Sequence, residues 1–151
     1  MTAKFDVLLV EDNPADMRLV REAFAECMAP ITLHWVSTGE EALEFLRKQK
    51  GYVAAPRPSL VLLDLNLPSL KGIEVLRELK QDPVTIPVPV VILSSSNAQK
   101  DISDAYLEHA NSYHVKPDDF DKYIEFVRSI ESYWFQSIQL PDRPAVTSTK
   151  Y

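Results

Sequence analysis

Three short segments, Val7-Leu8-Leu9-Val10, Leu60-Val61-Leu62-Leu63 and Val90-Val91-Ile92-Leu93, are apolar at every position. A strand with one wet face alternates apolar and polar residues. A strand that never alternates is covered on both faces, which is the condition of a parallel sheet between two layers of helices. Apolar residues at helical spacing lie between the segments, so strand and helix alternate five times along the chain. Right-handed crossovers then favour a doubly wound α/β sandwich.

Punctuation residues set the boundaries. The first strand is residues 5–10, and Asn13-Pro14 supplies an N-cap and a proline at the first helical position. Val20, Ala23, Phe24 and Cys27 carry that helix to residue 27, before Pro30. The second strand is 31–36, and Ser37-Thr38-Gly39-Glu40-Glu41 holds two overlapping capping boxes that start the second helix. A third helix follows Gly72 and stops at Asp82-Pro83. The fourth strand is 88–93, the fourth helix 98–109, the fifth strand 112–115, and a long fifth helix runs from Asp119 to residue 139.

Chemistry-bearing residues stand directly after the apolar segments: Glu11 and Asp12, then Asp64, then Ser94, with Lys116 after the shorter fifth strand. Ligands of an open parallel sheet bind in the crevice beyond the carboxyl ends of its strands. Three carboxylates, a hydroxyl and an ammonium at one such edge suit a divalent cation and a phosphoryl group. An aspartate can attack phosphorus and form an aspartyl phosphate. The charge of the phosphoryl group is neutralised in such reactions by Mg²⁺ and a cationic side chain.

Length and charge narrow the function further. A chain of 151 residues is one domain's worth, and 46% apolar with 25% charged residues describes a globular sequence. The net charge of -6 and the lack of a basic stripe disfavour nucleic acid as a partner. The N-terminus has no signal-peptide pattern and no segment approaches the ~20 apolar residues that span a bilayer, so a cytoplasmic protein is expected. The single Cys27 reads as a small buried hydrophobe. His34, His109 and His114 have neither metal spacing nor the context of a phosphodonor.

Four motifs in this order and spacing resemble the receiver domain of two-component response regulators. They are Leu8-Leu9-Val10-Glu11-Asp12-Asn13, Leu63-Asp64-Leu65-Asn66-Leu67-Pro68 with Gly72, Leu93-Ser94-Ser95, and Tyr113-His114-Val115-Lys116-Pro117. The resemblance spans residues 5–140 and implies a flavodoxin-like sheet of order 2-1-3-4-5 with five helices, the last extended. It assigns residues 1–140 to the receiver and leaves 141–151 as a flexible tail. Asp64 becomes the phospho-acceptor, served by a sensor histidine kinase. Asp12, Asp64 and the main-chain carbonyl of Asn66 ligate Mg²⁺, or Mn²⁺ in its place, and Glu11 acts through a water or from behind the ligands. Lys116 pairs with the phosphoryl oxygens, and its bond to Pro117 is expected to be cis. Ser94 donates to the phosphoryl group, a role Ser95 or Ser96 can also fill, and Tyr113 turns inward into the space Ser94 vacates.

Two other classes compete. A phosphatase of the haloacid-dehalogenase type needs a second aspartate two residues after the first, where this chain has Asn66. A pseudo-receiver keeps the fold and loses the aspartates or the lysine, all of which are present.

The connection 48–59 is longer than the ~2–6 residues usual in α/β units. The C-terminal helix shows a core stripe of Phe120, Ile124, Val127, Trp134 and Ile138, and a second row of Phe126, Tyr133 and Leu140 at intervals of seven. That second row, with Ile130, predicts a homodimer on the side formed by helix four, strand five and helix five. Ser129-Ile130-Glu131-Ser132-Tyr133-Trp134-Phe135 and Gln139-Leu140-Pro141 resemble the closing helix of the cyanobacterial phytochrome response regulators. This narrower likeness implies a phytochrome-type kinase as partner. Too few residues follow helix five for an output domain, so the signal is expected to leave through contacts with a downstream protein.

Overall fold

A computed structural model describes residues 5–141. Its elements are β1 (Phe5–Val10), α1 (Pro14–Phe24), β2 (Ile31–Val36), α2 (Gly39–Arg47), β3 (Leu60–Leu63), α3 (Gly72–Gln81), β4 (Val90–Ser94), α4 (Gln99–Leu107), β5 (Ser112–Val115) and α5 (Phe120–Ile130). All strand pairs are parallel, in the order β2-β1-β3-β4-β5. This is the flavodoxin-like topology expected from the motifs.

The unbroken apolar strands divide their side chains between two cores. Leu8, Val10, Val61, Leu63, Val90 and Ile92 pack against α2, α3 and α4. Val7, Leu9, Leu60, Leu62, Val91 and Leu93 pack against α1 and α5. Each such side chain contributes about 1.5–3 kcal/mol when fully buried, so no position on these strands tolerates a polar residue without a partner.

The caps are those that the sequence announces. Asn13 accepts from the main-chain N–H groups of Ala15 and Asp16 at 2.9 and 3.2 Å, with Pro14 beginning α1. Thr38 accepts from Glu41 N–H at 3.1 Å, and Asp119 from Lys122 N–H at 2.9 Å. In the long connection, a short 3₁₀ turn at Lys50–Tyr52 brings Tyr52 onto Phe45. The Tyr52 hydroxyl donates to Glu41 at 3.1 Å.

The C-terminal helix departs from expectation. After Ile130 the helix continues as a π-helix, Glu131–Ser137. The buried stripe of α5 is Tyr123, Phe126, Val127 and Ile130. Phe126 and Ile130 therefore belong to the protein's own core and are not the exposed contact residues predicted for a dimer. Extrapolation by sevens assumed one uniform α-helix; the i→i+5 pattern of a π-helix rotates everything beyond Ile130. Tyr133 swings out, 55% exposed, and Leu140 is half-buried.

Glu131, buried at the junction, accepts from Ala29 N–H at 2.6 Å, and Phe135 stacks on Phe5. Cys27 is half-buried rather than fully packed away. Burial and the neighbouring Glu131 carboxylate push its thiol up to about 12, which leaves it unreactive. Apart from Pro141, the tail 141–151 lies outside the described residues. Among the described residues no helix is long and apolar enough to cross a membrane.

Candidate functional site

The sheet ladders run one residue past each strand and thereby assemble the site. Asp64 N–H donates to Val10 O at 3.1 Å, Glu11 N–H to Val36 O at 3.1 Å, and Lys116 N–H to Ser94 O at 2.8 Å. Glu11, Asp64, Ser94 and Lys116 are thus fixed at one carboxyl edge by main-chain bonds before any side chain meets another. The site also demands a close approach from α3. A Cβ on Gly72 would stand 2.2 Å from Asp64 O and 2.6 Å from Leu65 Cα, so only glycine fits there. Gly72 N–H bonds Leu65 O at 3.0 Å, which ties the start of α3 to the turn carrying Asp64.

Lys116 sits at the centre of the charges. Its ammonium lies 2.8 Å from Glu11 Oε1, 2.8 Å from Asp16 Oδ2 and 2.9 Å from Asp64 Oδ2. Burial opposes the charge on Lys116, but the carboxylates of Asp16, Glu11 and Asp64 outweigh it and hold the group above the ordinary lysine range. Glu11 responds in the opposite sense. Burial is the main cause that pushes it up to about 7, aided by the charge of Asp64 and resisted by the hydrogen bond from Lys116. Its second oxygen accepts from Asn13 N–H at 3.1 Å.

Carboxylate oxygens of Glu11, Asp12 and Asp64 lie within 4.8 Å of one another. Cis oxygens around a six-coordinate Mg²⁺ are about 3 Å apart, so this spacing fits one small hard cation with waters completing its shell. Asp12 is exposed, whereas Glu11 and Asp64 are buried, so the opening to solvent is on the Asp12 side. Asn66 N–H donates to Asp64 Oδ1 at 3.0 Å, which brings the Asn66 main chain beside the cluster. The phosphatase reading needs an acid at that position, and none stands there.

Ser94 is fully buried at the end of β4. Its hydroxyl accepts one long contact from Ser96 N–H, at 3.4 Å. Tyr113 lies half-buried against the α2–α4 core, and its hydroxyl donates to Ser96 O at 2.8 Å. This bond ties the Tyr113 ring to the loop that follows Ser94. The cis peptide expected before Pro117 is not found: the described residues contain no cis bond. Cis and trans X–Pro differ by only about 0.5–1 kcal/mol, so the fold around the loop decides the isomer and the dipeptide does not.

Two participants, Asp16 and Trp35, escaped the sequence reading. Asp16 reads as an acid complementing a helix dipole, yet it stands at the third position of α1 and pairs with Lys116. Ser96, named in that reading as a stand-in for the Ser94 hydroxyl, instead offers its carbonyl to Tyr113. Trp35 reads as a β-strand aromatic; its indole N–H donates to Glu11 O at 2.7 Å.

The fold and this edge of acids, hydroxyl and lysine define a phospho-accepting switch built on a doubly wound sheet. The sequence matches the response regulator receiver domain over residues 7–128, and the chain belongs to that family. It is 41% identical over 135 residues to response regulator Rcp1 of a Synechocystis species, covering 89% of this chain and 92% of that protein. It superposes on the phosphorylated cyanobacterial phytochrome response regulator RcpA with a TM-score of 0.88 at 42% identity, covering 93% of this chain and all of that one. The Mn²⁺-bound form of Rcp1 gives a TM-score of 0.85 at 40% identity over 91% of this chain and 99% of that one. A receiver takes its phosphoryl group from a histidine kinase, and receivers bind Mg²⁺ or Mn²⁺ at an acidic pocket of this kind.

Proposed function

We propose that Asp64 is the phospho-acceptor of this chain and that its donor is a phytochrome-type histidine kinase. The observation that carries the assignment is the pairing of the buried Asp64 with Lys116 at 2.9 Å inside a cluster of carboxylates. One Asp64 oxygen attacks the phosphorus of the kinase phosphohistidine, the P–N bond breaks and an acyl phosphate forms. Asp12, Asp64 and the Asn66 carbonyl would hold Mg²⁺, with Glu11 behind them; the ion supplies charge neutralisation at the phosphoryl oxygens. Lys116 supplies the second positive charge. Its protonation is secured by the surrounding carboxylates. Asn66 offers no general acid for hydrolysis, so autodephosphorylation is slow. The unit that acts is the receiver 1–140, a cytoplasmic protein in this reading, and its tail 141–151 takes no part in the chemistry.

The output runs through Ser94. When the Ser94 hydroxyl moves to the phosphoryl group it draws the 94–96 loop, and Tyr113 holds the carbonyl of Ser96. The homodimer is proposed on the same side of the sheet, with its contact residues revised. Tyr133 and Leu140 remain from the predicted set, joined by the exposed Tyr106 and Leu107 at the end of α4. A downstream protein is proposed to read the same face.

The test is incubation with acetyl phosphate and Mg²⁺ followed by intact mass measurement. A single phosphoryl adduct, lost in Asp64→Asn, supports the reading. Sustained phosphate release points to a phosphatase, and no adduct to a pseudo-receiver. Transfer from a labelled phytochrome-type kinase tests the donor separately.

A further inference from the structure

We infer that Trp35 of β2 is a positioning residue for the metal-binding turn between β1 and α1. The inference rests on the assignment of Asp12 and Asp64 as cation ligands and names a residue outside that set.

The parallel ladder between β1 and β2 ends with Glu11 N–H donating to Val36 O. In such a ladder the Glu11 carbonyl would next accept from the main chain two residues beyond Val36. The chain does not continue as a strand, because Thr38 becomes the N-cap of α2. The indole of Trp35 takes the place of that ladder donor, 2.7 Å from Glu11 O. It belongs to the edge strand of the sheet, paired with Leu9 one residue before the ladder ends. Trp35 is 42% exposed, far more than a ring of its size needs to be if packing were its purpose.

The carbonyl it holds is half of the Glu11–Asp12 peptide. A peptide unit is planar, so fixing its C=O fixes its N–H and the Cα of Asp12 beyond it. Asn13 N–H is already held by the Glu11 carboxylate at 3.1 Å, which constrains the turn from its other end. Between these two anchors stands the exposed Asp12, whose carboxylate lies within 4.8 Å of those of Glu11 and Asp64. Preorganising a ligand in this way lowers the ordering cost of binding.

Three proteins test the inference: the parent chain, Trp35→Phe, and Trp134→Phe. Mg²⁺ affinity is measured by calorimetry, and thermal stability is measured in chelator. Loss of one hydrogen bond at a half-wet position should weaken Mg²⁺ binding by about 2- to 10-fold in Trp35→Phe. Trp134→Phe should bind as the parent does. With Trp134 removed, the emission of Trp35 should change on adding Mg²⁺, with the calorimetric midpoint. Parental affinity in a folded Trp35→Phe, or an emission indifferent to Mg²⁺, overturns the inference. The emission measurement decides the matter even where Trp35→Phe fails to fold. A parent that binds no Mg²⁺ overturns the cation assignment itself and this inference with it.

Discussion

The start of α3 leaves no room for a side chain beside the Asp64 turn, and Gly72→Ala tests what that close approach does. The added methyl would lie 2.2 Å from Asp64 O, 2.6 Å from Leu65 Cα and 2.9 Å from Asp64 C, and all three are main-chain atoms with no rotamer to change. Clearing even 3.0 Å therefore requires the start of α3 to separate from the Asp64 turn by about 0.8 Å, and ordinary contact requires more. That separation stretches the 3.0 Å bond from Gly72 N–H to Leu65 O. Overpacking costs about 1–3 kcal/mol, and the stretched bond about 1 kcal/mol more. Alanine returns about 0.4–1 kcal/mol through the unfolded chain. The net loss is about 2 kcal/mol, or about 4–8 °C in Tm for a domain of this size. The chemistry should suffer more than the stability, because a displacement near 1 Å at a reacting group can cost about 100-fold in rate. The assay is thermal unfolding beside acetyl phosphate labelling, with Gly51→Ala as control, since a Cβ there meets nothing within 4 Å. If Gly72→Ala melts with the parent and is labelled at the parental rate, the close approach does not hold Asp64 in place.

Glu11→Gln isolates the pH response of the buried acid. Folding raises the Glu11 pKa from 4.5 to about 7, so its stabilising protonation is complete below 4.5 and lost as pH rises through 7. In chelator, the stability of the parent relative to Glu11→Gln should fall across that window, by up to about 3 kcal/mol; a flat difference refutes the raised value. Tyr113→Phe removes the hydroxyl bonded to Ser96 O and should leave labelling of Asp64 intact while abolishing phosphorylation-dependent changes in partner or oligomer binding. Unaltered changes would remove Tyr113 from the switch. Tyr133→Asp should shift sedimentation from dimer to monomer; a parent that is monomeric at high concentration, or a variant that stays dimeric, removes that interface.

What could be read from the chain and what could not divide along a physical line. The sheet and its carboxyl-edge residues were legible because main-chain ladders set them: once strands are fixed, the next residue is placed. Caps were legible for the same reason, being local. Side chains that act across the sheet were not. Asp16 reaches Lys116 over 100 positions of sequence, and a first-turn acid gives no local sign of such a partner. The register of the last helix was missed through geometry. The heptad spacing of Phe126, Tyr133 and Leu140 is real in the sequence, but the π-helix after Ile130 breaks the rotation that would align them. The partner of Tyr113 was not legible either, since the main-chain acceptor at Ser96 is invisible in a string of three serines.

The geometry also separates the fixed part of the site from the part free to move. All three N–H donors of Lys116 are engaged, by Glu11, Asp16 and Asp64. Phosphorylation of Asp64 changes only one of these acceptors, and a phosphoryl oxygen can replace it. Glu11 and Asp16 still hold the ammonium from two sides, so Lys116 is a fixed post around which the new group is oriented. Ser94 is the opposite case. Its hydroxyl is buried with one contact of 3.4 Å, at the limit of a hydrogen bond, and it has more to gain from a charged oxygen than it has to lose. In the proposed switch, movement would start at Ser94, pass through the Ser96 carbonyl to the 2.8 Å bond from Tyr113, and reach β5 at the edge of the sheet. An edge strand is bonded on one side only. It can shift with the loop without breaking a second ladder, so the proposed response would emerge on that face and not through the centre of the sheet.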